Sequence, residues 1–552
     1  MSRKLFHYPA SRQSDVVDDY HGTLVADPYR WLEDPVSAET KVWVAAQNEL
    51  TESYLTELTV RAEFAERLTK LWDYPKYNVL RKRAGGYFFQ FNDGLQNQPV
   101  LYRQAALDDA PELVLDPNGL SDDGTLAMTM YSLSKDGRFL AYNLSQSGSD
   151  WQAIHVLDLE TGQKLDDVIQ WCKFTPTAWT HDNAGFFYAR YPAPGEMPEA
   201  PPSTHHRVYY HTLGTPQSDD ALVYARPDAP DLGFQPYVTE DGRFLTLHVW
   251  EGTDRRSRFY YRDLESSGDF VRLLDDLDAG YECIGNDGPV FYFQTDLDAE
   301  NGRIIAIDTT NPAREHWQER IPEQQDAIAF SLMVNDQFVV VRLHNAHHRL
   351  YIYNLDGTFD REIELPTAGT IFEIAGKRKH NELFIQFLSF TYPPTVLRYD
   401  FTSGELQTYR QPQLDFDPSR YETTQVLYPS KDGTQIPLFL TYKKGIKLNG
   451  SNPTLLYGYG GFNIDMTPIF SPTRLAWLER GGIYAHACLR GGNEFGEAWH
   501  QAGMLANKQN VFDDFISAAE WLIENKYTRK GRLAIEGRSN GGLLVAACMV
   551  QR

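Results

Sequence analysis

Several features are absent from this sequence, and each absence excludes a class of protein. No run of 18 apolar residues is present, so no membrane-spanning helix is expected. The first residues, MSRKLFHYPASRQSD, lack the apolar core of a secretory signal peptide. A disulfide framework is excluded as well, and a reducing cytoplasm is favoured, because the few cysteines are scattered and form no C-x-x-C pair. They are Cys172, Cys283, Cys488 and Cys548.

Positive charge is also scarce. The chain has 75 acidic and 52 basic residues, which gives a formal net charge of −23. A surface of this sign repels phosphate groups, so neither nucleic acid nor an anionic membrane is an expected partner. Gly458-x-Gly460 is followed by Asn463 where a dinucleotide-binding fingerprint requires glycine. The histidines at 344, 347 and 348 do not predict a metal site, and we expect no metal or organic cofactor.

The chain of 552 residues is too long for one hydrophobic core, and its composition changes along its length. Residues 1–72 are predicted to be helical. In DPYRWLEDPVSAETKVWVAAQNELTESYL, Ser37 is a candidate helix cap, and VRAEFAERLTKLW predicts a second helix.

Residues 73–412 contain a repeat in place of helices. A strand, a polar turn and a second strand recur, with turn entrances 45 to 54 residues apart at Gln104, Asp158, His211, Asp263, Asp308, Asn354 and Asp400. A second class of segment interleaves with the first, namely AGGYFFQF, KDGRFLAY, DNAGFFYA, EDGRFLTLHV, NDGPVFYF, NDQFVVVRL and KHNELFIQF. Two hairpins in each unit predict a four-stranded blade, so seven units predict a seven-bladed β-propeller.

Residues 413–552 alternate strand and helix patterns and predict an α/β layer with a largely parallel sheet. TTQVLYPSKDGTQIPLFLTY predicts a hairpin, and PTLLYGYGGFN and GGIYAHACLRGG each predict a strand that ends in glycines. VFDDFISAAEWLIENKY predicts a helix, and RLAIEG and SNGGLLVAACMV predict a strand followed by a helix. Functional sites of such layers lie at the carboxyl ends of the strands.

The last strand and helix flank the motif Gly537-Arg538-Ser539-Asn540-Gly541. A G-x-S-x-G sequence between a strand and a helix is typical of a nucleophile elbow, in which small residues allow the strand and helix to approach closely. We expect Gly537, Gly541 and Gly542 to serve that approach. Ser539 is then a candidate nucleophile, and the alternative is a glycine-rich turn with a capping serine.

Attack by a serine on a carbonyl also requires donors for the oxyanion. The backbone N–H of Asn540 is the first candidate, because it follows the nucleophile. The second is expected from the loop after LLYG, residues 455–463, through its backbone N–H groups or a tyrosine hydroxyl.

Four segments, LLYGYGGFN, RGGNEFGEAWH, NKQNVFDDF and GRSNGGLLVA, occur in this order. With DYHGTLVADPYRWLEDP near the start, they closely resemble the prolyl oligopeptidase family of serine peptidases. The resemblance implies an α/β-hydrolase domain with an inserted seven-bladed β-propeller. Residues 1–72 would be the N-terminal helical part of the hydrolase domain, 73–412 the propeller, and 413–552 the catalytic domain.

The resemblance also implies roles for individual residues. Ser539 would attack the substrate carbonyl, and the Tyr459 hydroxyl and the Asn540 N–H would bind the oxyanion. Phe462 matches a residue that lines the apolar pocket for the substrate proline.

The acid and base that should activate Ser539 are not found after it. α/β-Hydrolases order their catalytic residues as Ser, then Asp or Glu, then His. Residues 540–552 contain no carboxylate and no histidine. His486 is expected to pack within a strand, and His500 is not expected to act as the base. We therefore expect a truncated chain whose hydrolase domain is incomplete at the C-terminus, and which has little peptidase activity alone.

The expected function of the intact protein is that of a cytoplasmic serine endopeptidase, monomeric, that cleaves oligopeptides after proline through an acyl-enzyme. One alternative is an inactive fragment or a propeller-based scaffold that binds peptides without cleaving them. A further alternative is a different specificity, either cleavage after basic residues, as in oligopeptidase B, or removal of acylated amino acids.

Overall fold

The computed structural model describes residues 6–199, 201 and 203–552. The chain divides into two compact units, Met1–Lys70 and Leu71–Arg552. Residues 1–5 lie outside the described residues. They begin the segment in which the sequence predicts no signal peptide.

The shorter unit contains a hairpin and the predicted helices. Its elements are β1 (Val17–Tyr20), β2 (Thr23–Ala26), α1 (Ala38–Thr56) and α2 (Val60–Trp72), the last of which extends just past the end of the unit. Ser37 is the N-cap of α1, because its side chain accepts the N–H of Thr40 at 3.2 Å. The cap predicted from the sequence is confirmed.

The longer unit begins with antiparallel sheets of consecutive strands, which form the predicted blades. Blades 1 to 3 are β3 (Lys76–Tyr77), β4 (Arg81–Arg83), β5 (Gly86–Asn92), β6 (Val100–Gln104) and β7 (Glu112–Leu115); β8 (Leu126–Leu133), β9 (Phe139–Gln146), β10 (Gln152–Asp158) and β11 (Gln163–Cys172); and β12 (Ala178–Trp179), β13 (Gly185–Arg190), β14 (Arg207–Thr212) and β15 (Ala221–Ala225).

Four further sheets of the same kind follow. Blades 4 to 7 are β16 (Leu232–Val238), β17 (Phe244–Glu251), β18 (Arg258–Asp263) and β19 (Val271–Leu274); β20 (Tyr281–Asp287), β21 (Val290–Thr295), β22 (Arg303–Asp308) and β23 (Gln318–Ile321); β24 (Ala327–Val334), β25 (Gln337–His344), β26 (His347–Asn354) and β27 (Phe359–Ile363); and β28 (Thr370–Ala375), β29 (Glu382–Leu388), β30 (Thr395–Asp400) and β31 (Glu405–Arg410).

The sequence repeat corresponds to the blades strand by strand. Each segment of the AGGYFFQF class contains the first residues of the strand that follows the first turn of a blade, from β5 to β29. The predicted turn entrances fall at or next to the ends of β6, β10, β14, β18, β22, β26 and β30. The seven-bladed propeller is confirmed.

Apolar clusters join each blade to the next, which explains why the strands are rich in aromatic and branched residues. One cluster combines Val339 and Ile352 of blade 6 with Ile371 and Ile385 of blade 7. Equivalent clusters lie at the other contacts between successive blades. Sheets that pack face to face bury alternate side chains from both partners, so every blade needs two apolar faces.

The ring closes between blades 7 and 1 without an exchanged strand in the described part of the chain, because each of these sheets consists of consecutive strands. Apolar residues of both blades share one cluster there. The carboxylate of Glu382 in blade 7 accepts hydrogen bonds from Tyr87 Oη at 2.6 Å and Lys82 Nζ at 2.8 Å in blade 1. Gln104 Nε2 also donates to Tyr409 Oη at 2.9 Å. Side chains therefore close the ring.

The remaining elements form the predicted α/β layer. They are β32 (Tyr421–Pro429), β33 (Gln435–Lys443), β34 (Thr454–Tyr457), α3 (Pro472–Glu479), β35 (Ile483–Ala487), α4 (Glu497–Gln501), α5 (Lys508–Glu524), β36 (Leu533–Glu536) and α6 (Asn540–Gln551). The strand order is β32-β33-β35-β34-β36, in which β34 is parallel to both β35 and β36, and β33 is antiparallel to β35.

The core of this layer lies between the sheet and the helices α5 and α6. Leu440, Leu456 and Ala485 of the strands pack in one buried cluster with Phe515 of α5 and Leu544 of α6. The opposite side of α6 exposes apolar residues, namely Leu543, Met549 and Val550.

One end of the propeller contacts this layer. Thr370, the first residue of β28, donates its hydroxyl hydrogen bond to the main-chain oxygen of Pro468 at 2.7 Å. The N–H of Glu497 donates to the main-chain oxygen of Glu300 at 2.9 Å. The turn that follows β28 lies at the opposite end of this strand. The turns that follow the first strands of the blades are therefore at the end of the propeller that is far from the α/β layer.

Short 3-10 turns complete the described secondary structure. They are Arg30–Glu33, Pro117–Gly119, Gln217–Asp219, Arg314–His316, Pro418–Arg420, Leu505–Asn507 and Lys530–Arg532. Within residues 6–199, 201 and 203–552, no helix combines the length and the apolar character needed to cross a bilayer.

Candidate active site

Ser539 lies on a sharp turn between β36 and α6. Its backbone has φ 53° and ψ −120°, and α6 begins at the next residue, Asn540. A positive φ is unfavourable for a residue with a Cβ, and such strained residues are concentrated at functional sites. The strand, the turn and the helix match the arrangement that the G-x-S-x-G motif predicts.

The glycines of the motif differ in how much space a side chain would have at each position. A Cβ on Gly537 would lie 2.1 Å from the main-chain oxygen of Gly541, so a side chain there would separate the strand from the helix. A Cβ on Gly541 would lie 2.7 Å from the oxygen of Gly458 in the neighbouring loop. Gly542 has open space around it, so its predicted role in close packing is wrong.

The side chain of Ser539 is exposed and makes no capping hydrogen bond to α6. Its hydroxyl has no hydrogen-bond partner among the residues that the structure describes. Ser539 therefore stands at the N-terminus of a helix without capping it. The first N–H groups of a helix lack intrahelical acceptors and favour nearby negative charge.

The loop that follows β34 lies beside this turn. Strands β34 and β36 are parallel neighbours with Tyr457 opposite Glu536, so the chain leaves both strands at the same edge of the sheet. Gly458 has no room for a side chain, because a Cβ there would lie 2.8 Å from the ring of Phe515. Gly460 has a φ of +60° and is equally confined, by Val511 at 2.3 Å.

The side chain of Asn540 ties the two segments together. Its Nδ2 donates to the main-chain oxygens of Tyr459 at 2.8 Å and Gly460 at 3.1 Å. The structure thus places the main chain of Tyr459 beside Asn540, the neighbour of Ser539; all three residues are predicted site residues. The motif predicts a function only for the backbone N–H of Asn540 and does not reveal this function of its side chain.

Lys508 is a second residue whose function the sequence pattern does not predict. It is the first residue of α5, and its Nζ donates to Gly460 O at 2.7 Å and lies 3.4 Å from Asn540 Oδ1. Burial lowers the pKa of this ammonium group. NKQNVFDDF, which contains Lys508, resembles a segment of the family, but only a structure relates this lysine to a carbonyl 48 positions earlier.

Phe462 lies on the same loop, two residues after Gly460. The residue is 57 % exposed, and the backbone of both Phe462 and Asn463 has a φ of 56°. Strain at two consecutive residues indicates that neighbouring contacts hold the loop in place. The N–H of Asn463, for example, donates to Gly491 O at 3.1 Å.

Neither of the two nearest histidines is bonded to Ser539. His486 is buried in β35, where its Nε2 is 3.2 Å from Met466 O, and burial lowers its pKa to about 3. The Nδ1 atom of His500 is hydrogen-bonded to the main-chain oxygen of Gly491 at 2.7 Å. The packed and hydrogen-bonded state predicted for His486 is confirmed.

A buried ion pair holds the segment that contains Gly491. Arg490 Nε donates to Asp514 Oδ2 at 3.0 Å, and its Nη1 donates to Asp432 Oδ2 at 2.5 Å. Ser430 Oγ adds a hydrogen bond of 2.5 Å to Asp514 Oδ1. These bonds link β35, α5 and the β32–β33 turn, which fixes the edge of the sheet under the candidate site.

No group of three or more potential ligands that could hold a metal ion occurs in the described residues. In the histidine-rich segment of blade 6, His344 Nδ1 is bonded to Asp326 at 2.8 Å. His348 lies 3.6 Å from Asp465 in the α/β layer.

Most of the chain matches known protein families. Residues 8–412 match the family described as prolyl oligopeptidase, N-terminal beta-propeller domain. Residues 468–552 match the family described as the prolyl oligopeptidase family.

Individual relatives agree with these matches. The chain is 39% identical to a prolyl endopeptidase of Elizabethkingia meningoseptica, over 99% of this chain and 77% of the relative. It is 34% identical to a dual function macrocyclase-peptidase of Galerina marginata, over 99% of this chain and 80% of the relative.

Solved structures give the same result. A structure from a study of two prolyl endopeptidases and their inter-domain dynamics superposes with a TM-score of 0.94 at 36% identity, over 99% of this chain and 80% of that one. Prolyl oligopeptidase B from Galerina marginata, bound to a 35mer hydrolysis and macrocyclization substrate, gives 0.93 at 34% identity, over 99% and 80%. With its propeller, its α/β layer and these relatives, the chain belongs to the prolyl oligopeptidase family of serine peptidases.

Proposed function

We propose that this protein is an endopeptidase that cleaves short peptides on the carboxyl side of proline, with Ser539 as the nucleophile. The observation that carries the proposal is the strained backbone of Ser539 on the turn between β36 and α6. Its exposed hydroxyl caps no helix N–H group, which favours a nucleophile over a capping serine. The relatives named prolyl endopeptidase support the specificity for proline.

The residues around Ser539 suit acyl transfer. Ser539 Oγ would form a bond to the carbonyl carbon of the proline residue, and the carbonyl oxygen would become an oxyanion. The Asn540 N–H, at the start of α6, and the Tyr459 hydroxyl would donate hydrogen bonds to it. The proton of the serine hydroxyl passes through water to the nitrogen, the C–N bond breaks and the amine leaves. An acyl-enzyme remains, which water hydrolyses to give the carboxylic acid and regenerate the hydroxyl.

Phe462 is proposed to line the site for the substrate proline. It lies three residues after Tyr459, and its exposed ring offers an apolar surface beside the loop that Asn540 holds. A flat aromatic ring buries a proline side chain without leaving a polar group unpaired. An uncharged surface of this kind favours proline over a basic side chain.

The proposed substrates are oligopeptides, and the proposed setting is a monomer in the cytoplasm. One end of the propeller contacts the α/β layer through Thr370 and Glu300, so the blades stand beside the candidate site. Such a barrier would exclude folded proteins. Free cysteines, which are the only kind of cysteine in the described residues, fit a reducing compartment.

Hydrolysis by this chain is proposed to be slow. No histidine is bonded to Ser539 among the described residues, so its hydroxyl stays protonated and is a weak nucleophile. The same observation favours a second candidate function, which is binding of peptides without cleavage.

Labelled peptides of equal length that differ only in carrying proline, alanine or arginine at the position before the cleaved bond test these proposals. We expect the proline peptide to bind about tenfold more tightly than the alanine peptide in fluorescence anisotropy. Phe462→Ala should remove the preference, whereas Ser539→Ala should leave it unchanged. Phe359→Ala, an exposed aromatic of β27 on the outer edge of blade 6, is the matched control.

Each other outcome has a defined meaning. Tighter binding of the arginine peptide, or equal binding of all three, would contradict specificity for proline. Binding that survives Phe462→Ala unchanged would favour a peptide-binding propeller. Rapid cleavage of the proline peptide, detected by mass spectrometry and lost in Ser539→Ala, would contradict slow hydrolysis while supporting Ser539 as the nucleophile.

A further inference from the structure

Cationic side chains gather at the end of the propeller that faces away from the α/β layer. Arg83 ends β4 of blade 1, Lys135 follows β8 of blade 2, and Lys377 follows β28 of blade 7. All three lie at or next to the turn that leads into β5, β9 or β29, the long second strand of each blade. We call Arg83, Lys135 and Lys377 the distal cation cluster.

The distance from the candidate active site follows from the strand geometry. Thr370 at the start of β28 contacts the α/β layer. Lys377 lies seven positions further along the chain, and a strand advances about 3.3 Å per residue. The cluster is therefore roughly 20 Å from that contact and separate from the machinery around Ser539.

Contacts between turns show that the blades meet at this end. A Cβ on Gly137, two residues after Lys135, would lie 2.5 Å from the Cβ of Ala84, the residue after Arg83. The N–H of Lys135 donates to Asn183 Oδ1 of blade 3 at 2.8 Å. Arg378, next to Lys377, donates to Asn286 O of blade 5 at 2.7 Å.

The cluster borders a cavity at the centre of the propeller. The cavity has a volume of about 770 Å³, and Arg83 and Lys377 are among the residues that line it. Lys82 and Glu382, which also line it, are paired with each other. A space of this size holds a small organic molecule.

No carboxylate pairs with the cluster. Among the described residues, none lies within the 4.0 Å that defines an ion pair with Arg83, Lys135 or Lys377, and none of the three charged groups makes a hydrogen bond. By contrast, the next two residues, Arg378 and Lys379, both pair with Asp336. The chain carries 75 acidic residues, so unpaired cations are not explained by a shortage of partners.

The pKa values of the two lysines agree with the absence of an ion-pair partner for their charges. Burial and the charge of Arg83 lower the pKa of Lys135 to about 8, although the charges of Glu240 and Asp241 oppose this. Burial and the charges of Arg83 and Lys135 lower the pKa of Lys377 to about 7, although the charge of Glu240 opposes this more strongly than the charge of Lys135 contributes to it. Like charges held together in a partly buried space are unfavourable until an anion enters.

We propose that the distal cation cluster binds a small oxyanion, either a phosphate or a carboxylate, in the propeller cavity. A guanidinium group offers a fork of donors to two oxygens, and two ammonium groups supply point charges beside it. A bound anion would relieve the repulsion among the three cations. The site takes a small ligand because the cavity lies within the ring of blades.

Calorimetric titration of the full chain near pH 6.5 with inorganic tripolyphosphate, and separately with citrate, tests the proposal. We expect one binding site, with affinity reduced about tenfold or more in Lys377→Gln and in Lys135→Gln, because each loses one of three charges. Lys379→Gln, next to the cluster but paired with Asp336, should bind as the parent does. Both cluster variants should fold, since each removes a repulsive charge, and thermal unfolding checks this.

The two ligands distinguish the possible sources. Binding of tripolyphosphate alone indicates a phosphate ligand, and binding of citrate alone indicates a carboxylate, such as the terminus of a peptide. Absence of binding by both ligands would overturn the proposal. So would binding that is equally strong in the parent, Lys377→Gln and Lys135→Gln, because the anion would then lie elsewhere.

Discussion

Asn540 combines two tasks at the scale of the single residue. Its backbone N–H is a proposed oxyanion donor, and its side chain holds the Tyr459 loop through two main-chain oxygens. Lys508 supports the same loop from α5. The distance between the two proposed donors therefore depends on these two side chains.

Loss of the Asn540 side chain should misplace the oxyanion donors. A fluorophosphonate is expected to label Ser539 of the parent slowly, because no base is bonded to its hydroxyl. We expect Asn540→Ala to lower this rate by a further factor of about 100, because small displacements of catalytic groups have effects of this size. The backbone N–H remains in this variant, so the loss would report positioning. Labelling followed by mass spectrometry measures the rate.

Lys508 offers a graded test of the same arrangement. Lys508→Met should slow labelling, and Lys508→Arg should restore part of the rate because it keeps a donor for Gly460 O. Lys526→Met, an exposed lysine at the other end of the α5 region, is the control. Equal labelling rates in all these proteins would show that the loop does not depend on the two side chains.

The sequence predicted some of these residues and not others, for a physical reason. Ser539 and Gly537 belong to a local motif whose backbone geometry restricts the residue types. Lys508 and the Asn540 side chain act on main-chain oxygens far away in sequence, which leave no pattern in the residues. The open space around Gly542 is a tertiary property, so the motif alone assigned it a wrong role.

At the scale of the element, buried polar groups connect neighbouring blades. His211 of β14 in blade 3 is fully buried and lies 2.8 Å from Asp167 of β11 in blade 2 and 2.7 Å from Asp220. Burial lowers the pKa of His211, but the hydrogen bonds and charges of the two aspartates raise it above its ordinary value. The imidazolium form is therefore the stabilising one.

This ion triad should make the stability of the propeller depend on pH. Because the folded pKa is raised, the contribution is fully present below the ordinary pKa of about 6.5 and is lost as the pH rises through the folded value. We expect His211→Gln to lower the midpoint of thermal unfolding near pH 6, and the difference from the parent to shrink by pH 9. His316→Gln, an exposed histidine, is the control. A difference that stays constant over this range would exclude a charged His211.

The elements themselves were predictable to different degrees. The strand periodicity and turn residues predicted both central strands of each blade, because these strands are buried and regular. Helix α3 spans only eight residues and was not predicted, since PTRLAWLE carries too short a pattern. Packing against β33 and β35 stabilises it in the folded protein.

At the scale of the whole molecule, the propeller depends on the seam between blades 7 and 1. Glu382 is nearly fully buried there and accepts bonds from Lys82, Tyr87 and Arg398. Burial raises the pKa of this carboxyl, but these hydrogen bonds lower it below its ordinary value. The ionised carboxylate is the form that closes the seam.

Glu382→Gln should weaken the ring. Removing one partner from a buried ion pair leaves the other uncompensated, so we expect a loss of roughly 3 kcal/mol in the free energy of unfolding. Urea unfolding measures the loss, and limited proteolysis should cut within blades 1 and 7 more rapidly, because an open seam exposes both. Glu405→Gln, an exposed residue of the same blade, should leave both readouts unchanged. Unchanged stability of Glu382→Gln would show that apolar contacts alone close the ring.

The number of blades follows from a repeat of 45 to 54 residues, so it was visible in the sequence. The distal cation cluster was not, because its members come from three blades that only the closed ring brings together. The domain limits at residues 72 and 412 remain predictions.

The most direct test of the central claim is whether Ser539 adds to a carbonyl that follows proline. A blocked dipeptide aldehyde that ends in proline, labelled with 13C at the aldehyde carbon, would be added to the full chain and observed by NMR. The account predicts a hemiacetal signal that is absent in Ser539→Ala and weaker for the corresponding arginine aldehyde. Absence of a hemiacetal signal with the parent protein under saturating conditions, or a hemiacetal that persists in Ser539→Ala, would contradict it.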